Sequence, residues 1–241
     1  MVSFAWSSAP ALEGRFERGI EDLPLDVQER SRGEWEELLR GLGRSETEGQ
    51  AWNAFDGFLS RTESLKSASK NPRVFVSHRQ DAPLRGERIA EIAAARGLDY
   101  WLDIHDPKIH TAQLFQHALG PLRYAIVVAA IVEMALINCT HVVVAHTLVT
   151  GNKIPWVPSQ WIPYEFGRAK ARGIVTAQAA GWFQQPIAPV YRGEYVLLAH
   201  QLHTDQDVVD WFAHLRLPGD PRKATTFHGK SPVLSLDKAH P

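Results

Sequence analysis

Cysteine is all but missing from this chain of 241 residues, which holds only Cys139. A lone cysteine forms no internal disulfide, which excludes disulfide-stapled secreted scaffolds and fits a reducing compartment. An excess of charge is missing as well. Twenty-six Lys and Arg stand against 27 Asp and Glu, a net charge of −1, so bulk charge offers no nucleic-acid-binding surface. The start, Met1 to Phe16, lacks the basic start and long apolar centre of a secretory signal, so a cytoplasmic location is expected. Neither GxGxxG nor GxxxxGK[ST] follows any expected strand, which argues against a standard dinucleotide or P-loop site. The GxSxG elbow of a serine hydrolase is missing around Ser77, and HExxH occurs nowhere. His105, His110 and His117 have no recognised ligand spacing, so no metal is expected.

One long apolar run is present, from Tyr124 to Val149, close to the length a membrane helix needs. Glu133, Asn138, Thr140, His141 and His146 interrupt it, and no Lys/Arg cluster flanks it. Its character also changes midway, from Ala-, Met- and Leu-bearing to the β-branched His141-Val-Val-Val144. A buried helix followed by a buried strand is the reading this favours, with no membrane partner.

Hydrophobic residues make up 44% of the chain, enough to bury a full core at this length without a staple. Residues 1–71 read as a helical arm. Asp26 to Leu42 carries Trp35, Leu38 and Leu42 at helical spacing, and Ser45 with Glu48 forms a capping box ahead of Trp52, Phe55 and Phe58. From residue 72 to about 217, strand and helix alternate. Val74-Phe-Val76, Tyr100-Trp-Leu102, His141–Ala145 and Ile174–Ala177 are the expected strands. Leu84–Ala95 stopped by Gly97, a helix through Ala112–Leu119, one from Ser159 to Arg172 stopped by Gly173, and Asp207–Leu215 are the expected helices. Alternation of this kind predicts an α/β fold with a mostly parallel central sheet covered on both faces. Residues 218–241 form a polar, proline-bearing tail.

Ligands of such sheets sit beyond the carboxyl ends of the strands. Three polar groups fall there: Ser77-His78-Arg79-Gln80-Asp81, Asp103-Ile-His105-Asp106, and Trp161 with Tyr164 and Glu165. Trp161 shares a helix face with Glu165, four residues on. A carboxylate beside aromatic surface can hold a sugar hydroxyl or stabilise a developing cation. An acid near a helix start also complements the helix dipole, and that reading stands beside the functional one.

Arg73-Val-Phe-Val-Ser-His-Arg79, Tyr100-Trp-Leu-Asp103 and Trp161-Ile-Pro-Tyr-Glu-Phe-Gly-Arg168 together resemble the motifs of a bacterial Toll/interleukin-1 receptor (TIR) domain. The resemblance spans about residues 72–215 and implies a flavodoxin-like domain behind the helical arm. It also implies an enzyme, an NAD+ nucleosidase that cleaves the nicotinamide–ribose bond. The product would be ADP-ribose or a cyclic ADP-ribose-like messenger, in antiphage defence signalling. Glu165 takes the place of the catalytic glutamate, with NAD+ as substrate and no cofactor. Ser77, His78, Arg79, Trp101, Asp103, Trp161 and Tyr164 would line the substrate site, Arg79 near the diphosphate or nicotinamide and Trp101 or Trp161 stacking on a ring. The stretch Asp103–Gln113 corresponds to the family's mobile loop, through which TIR domains self-associate, and a separate effector would respond to the product. His78 stands where the family often has Tyr, and Asp106-Pro107 replaces its common Pro-Gly pair. A non-catalytic TIR interaction module and a nucleoside deoxyribosyltransferase-like enzyme are the alternatives.

Overall fold

The computed structural model describes residues 25–65, 72–78, 83–146, 161–174, 180–184 and 199–215. The chain forms two compact units. One combines Met1–Ser69 with Asp103–Asn138, and the other combines Lys70–Leu102 with Cys139–Pro241.

The first unit is helical. Helix α1 (Leu25–Arg44) packs on α2 (Glu48–Thr62), with Trp35, Leu38 and Leu42 of α1 and Phe55 and Phe58 of α2 buried. The cap of α2 is Thr47, not Ser45: its hydroxyl accepts from the Gln50 amide while the Gln50 side chain bonds back. Ser45 instead donates its hydroxyl to the Gly41 carbonyl at 2.7 Å. A 3-10 turn (Asp103–His105) and α4 (Pro107–Leu114) occupy the stretch expected to be a mobile loop and place a helix earlier than Ala112–Leu119. Asp106 caps α4 by accepting from the Lys108 amide at 2.8 Å, and Pro107 fits the first helical position, where no N–H is needed. Helix α5 (Gln116–Asn138) breaks at Gly120, whose φ of +73° only glycine adopts without strain, and resumes from Pro121. It is long and apolar enough to span a membrane, yet 67% of its most apolar window is buried, and every residue of the helix from Ile126 to Asn138 is buried. Its Arg123 donates to the Ser45 carbonyl at 2.6 Å, tying it to the α1–α2 turn.

The second unit holds a five-stranded sheet, parallel throughout, in the order β2-β1-β3-β4-β5. The strands are β1 (Arg73–His78), β2 (Asp99–Leu102), β3 (His141–His146), β4 (Ala180–Gln184) and β5 (His200–Leu202). This is the order of flavodoxin-like doubly wound sheets. The fourth strand differs from expectation: Ala180–Gln184 pairs with β3, Ile174 precedes it without pairing, and residues 175–177 lie outside the described residues. Helices α3 (Pro83–Ala95), α6 (Trp161–Ala171) and α7 (Asp205–His214) accompany the sheet, and Ser159 lies outside the described residues. The stops at Gly97 and Gly173 are as expected. Each makes the paired bonds of a Schellman turn, Leu98 to Ala93 at 3.0 Å and Ile174 to Ala169 at 2.9 Å among them.

Side chains alternate across a strand, so contacts assign each helix to a face. His78 of β1 lies against Gly86 of α3, whereas its neighbour Ser77 bonds Glu165 of α6. Therefore α3 and α6 cover opposite faces. The register carries this outward. Gly181, level with Val143 and Val76, faces Trp211 of α7 on the α3 side, while Trp182 meets Phe166 of α6 edge-on at 6.1 Å on the other. Arg85 and Arg88 of α3 both bond Asp205 at the start of α7, at 2.6 and 2.9 Å, and Arg85 lies 4.6 Å over the Phe183 ring. With both faces covered, all six residues of β1 are buried, polar ones included.

Candidate functional site

Helix α6 buries Ile162, Glu165, Phe166 and Ala169. That is the i, i+3, i+4, i+7 stripe by which a helix packs on a sheet, and an acid occupies one of its places. Glu165 is 5% exposed. Burying a carboxylate is costly unless its oxygens are hydrogen-bonded. Ser77, 88 residues earlier and 1% exposed, donates its hydroxyl to Glu165 Oε2. The described helix has no acid in its first turn; Glu165 lies in the second, aimed at the sheet. Complementing the helix dipole therefore does not explain its placement.

Ser77 is the penultimate residue of β1, so the pair sits at the carboxyl end of that interior strand. Trp161, one turn earlier than Glu165 and on its face, meets Tyr164 edge-on with centroids 5.9 Å apart, and both rings are half-buried. A protected carboxylate flanked by partly accessible aromatic faces can accept a sugar hydroxyl. It can also stabilise a cation forming in front of it, in surroundings where water screens the attraction little.

Of the other expected site residues, Trp101 shares the Glu165 face, being level with Phe75, two residues before Ser77. His78 is buried on the opposite face, against Gly86. Trp101 is 2% exposed and stacked on Phe75, with centroids 4.6 Å apart, within the sheet's interior. Asp103 belongs to the helical unit, where its carboxylate accepts from the Ile104 amide at 2.8 Å. Arg79 lies outside the described residues. One further residue on the Glu165 face had not been singled out as a site residue. His146 ends β3, half-buried, with its ring 5.7 Å from that of Trp182. A histidine closing an apolar strand is the signal that could have marked it.

Comparison of the chain with protein-family models, with curated proteins and with solved structures returned no match.

Proposed function

We propose that the sheet unit is a TIR-type catalytic domain that cleaves the bond between nicotinamide and ribose in NAD+, in the cytoplasm. The observation that carries this reading is the buried carboxylate of Glu165, held by Ser77 at the carboxyl end of β1. As the C1′–N bond breaks, its electron pair goes to the nicotinamide nitrogen, which leaves neutral. Little acid catalysis is needed. What the reaction needs is an anion near C1′, which becomes cationic, and an acceptor for the ribose hydroxyls, and Glu165 supplies both. Water then bonds C1′ and releases a proton, giving ADP-ribose, or an adenine nitrogen bonds C1′ and closes a cyclic product. Trp161 and Tyr164 supply ring faces for the base or the sugar. Arg79 follows β1 directly and would serve the diphosphate. In this reading domains self-associate, so activity rises with protein concentration, and a cyclic product would address a separate effector.

The test is mass-spectrometric product analysis of the full chain with NAD+, at low and high concentration, beside Glu165→Ala and Glu165→Gln. Wild type releases nicotinamide, and both variants lose roughly 10²–10³-fold in rate, the usual cost of removing a group aimed at developing charge. Equal release by wild type and variants would remove Glu165 from the chemistry. Absence of release at every concentration, with a deoxynucleoside panel cleaved instead, would replace NAD+ by a deoxynucleoside as substrate.

A further inference from the structure

The Glu165 face of the sheet carries another polar side chain at its carboxyl edge. His146 is the last residue of β3, half-buried where the five before it are buried. Val144 is level with Ser77, so His146 lies one strand over and two residues further along, on the same face. With strands ~4.8 Å apart and ~3.3 Å per residue, the two Cα atoms stand about 8 Å from each other. The ring is supported: Trp182 lies 5.7 Å away, and Trp182 in turn packs on Phe166, the residue after Glu165. An imidazole thus stands at the carboxyl edge of the sheet, on the face that carries the buried carboxylate.

We infer that His146 is a substrate-binding residue of this site, donating a ring N–H to the phosphate of a ribose-phosphate ligand. The inference rests on the NAD+ reading above. A ribose bound at Glu165 carries its phosphate through C5′, so the phosphate lies within a sugar's length of the carboxylate. Two anions repel, and the phosphate turns away from Glu165 toward a donor. His146 is placed to be that donor: same face, next strand, nearer the solvent edge than Ser77. Imidazole donates one N–H when neutral and two when protonated.

The experiment compares full-length wild type, His146→Ala, His146→Gln and a control, His117→Ala on the exposed start of α5. It reads kcat and KM for NAD+, and the thermal shift given by ADP-ribose or by adenosine against each protein's own ligand-free Tm. His146→Ala raises KM on the order of tenfold while kcat changes little, as expected for a lost hydrogen bond to a charged group. It loses the ADP-ribose shift and keeps the adenosine shift; His146→Gln, which retains an N–H donor, recovers part of both losses. Unchanged KM and ADP-ribose shift in His146→Ala, with an active wild type, would overturn the inference and leave the NAD+ reading standing. A wild type that neither releases nicotinamide nor responds to ADP-ribose would overturn both.

Discussion

Gly86 offers the most direct test of how the sheet unit is packed. A methyl group there would stand 2.8 Å from His78 Cγ and 3.1 Å from its Cβ and Cδ2. These are not atoms at the loose end of a flexible chain; the strand backbone fixes them, and His78 is buried. Relief requires α3 to lift or the imidazole to leave its rotamer, and overpacking of this kind costs ~1–3 kcal/mol. Alanine within a helix recovers about 1 kcal/mol over glycine. Gly86→Ala is therefore destabilising by about 1 kcal/mol, up to about 2, at roughly 2–4 °C of Tm per kcal/mol for a chain of this length. Gly167 on α6 supplies the internal control, because nothing lies within 4 Å of the Cβ it would gain. Gly167→Ala shows the helix term alone, a stabilisation of ~0.5–1 kcal/mol. Urea unfolding followed by far-ultraviolet circular dichroism and tryptophan fluorescence reads both. If Gly86→Ala is as stable as Gly167→Ala, α3 does not rest on His78. The assignment of opposite faces then fails, and with it the separation of His78 from Glu165.

Two further substitutions test the α7 end of the same unit. Thr204 caps α7, accepting from the Asp207 amide at 3.1 Å while Asp207 accepts from the His203 and Thr204 amides at 2.8 and 3.0 Å. Thr204→Ala lowers stability by about 1 kcal/mol in urea unfolding, and Thr204→Ser restores most of it. The hydrogen bond from Arg88 holds the Asp205 carboxyl below the ordinary carboxylate range, aided by the Arg85 charge and opposed by partial burial. A depressed folded-state value stabilises the fold above the unfolded value of about 3.9, and that contribution is lost as pH falls through the folded value. Asp205→Asn thus lowers the urea midpoint at neutral pH, with the gap to wild type closing in acid as pH falls through the depressed folded-state value, and narrowing in about 1 M salt. A gap of equal size at neutral pH and in acid would show that the carboxylate charge is not the source of the effect.

Much of the fold was legible because its signals are local. Gly97 and Gly173 stop α3 and α6 through bonds within a few residues of each helix end. The misreadings have equally specific causes. Ser45 and Thr47 are each followed three residues later by a capping partner, Glu48 or Gln50, and the local rule does not rank them. What separates them is that the Ser45 hydroxyl is already committed to the Gly41 carbonyl. Ile174–Ala177 matches strand composition better than Ala-Gly-Trp-Phe-Gln, yet Ala180–Gln184 is the segment that pairs with β3. Gly181 there suits the close approach of Trp211, 3.1 Å from where its Cβ would be, and Trp182 falls beside Phe166. Both are tertiary facts, and composition does not register them. Strand β5 has three residues, too few for any period to show.

The candidate site divides along the same line. Glu165 could be singled out because the spacing to Trp161 is a helical one, readable within five residues. Its burial and its bond to Ser77 depend on which face of β1 meets α6, and a shift of one residue in β1 would have offered His78 instead. The same alternation parts Ser77 from His78, although the two stand side by side in the motif. It also brings His146 to the Glu165 side, since that position is level with Gln184 and two beyond Val144, the partner of Ser77. Register, more than motif membership, therefore decides which polar residues can share a ligand. By that criterion Glu165, Ser77 and His146 belong together on one face, and His78, despite its place in the motif, belongs to the packing of α3.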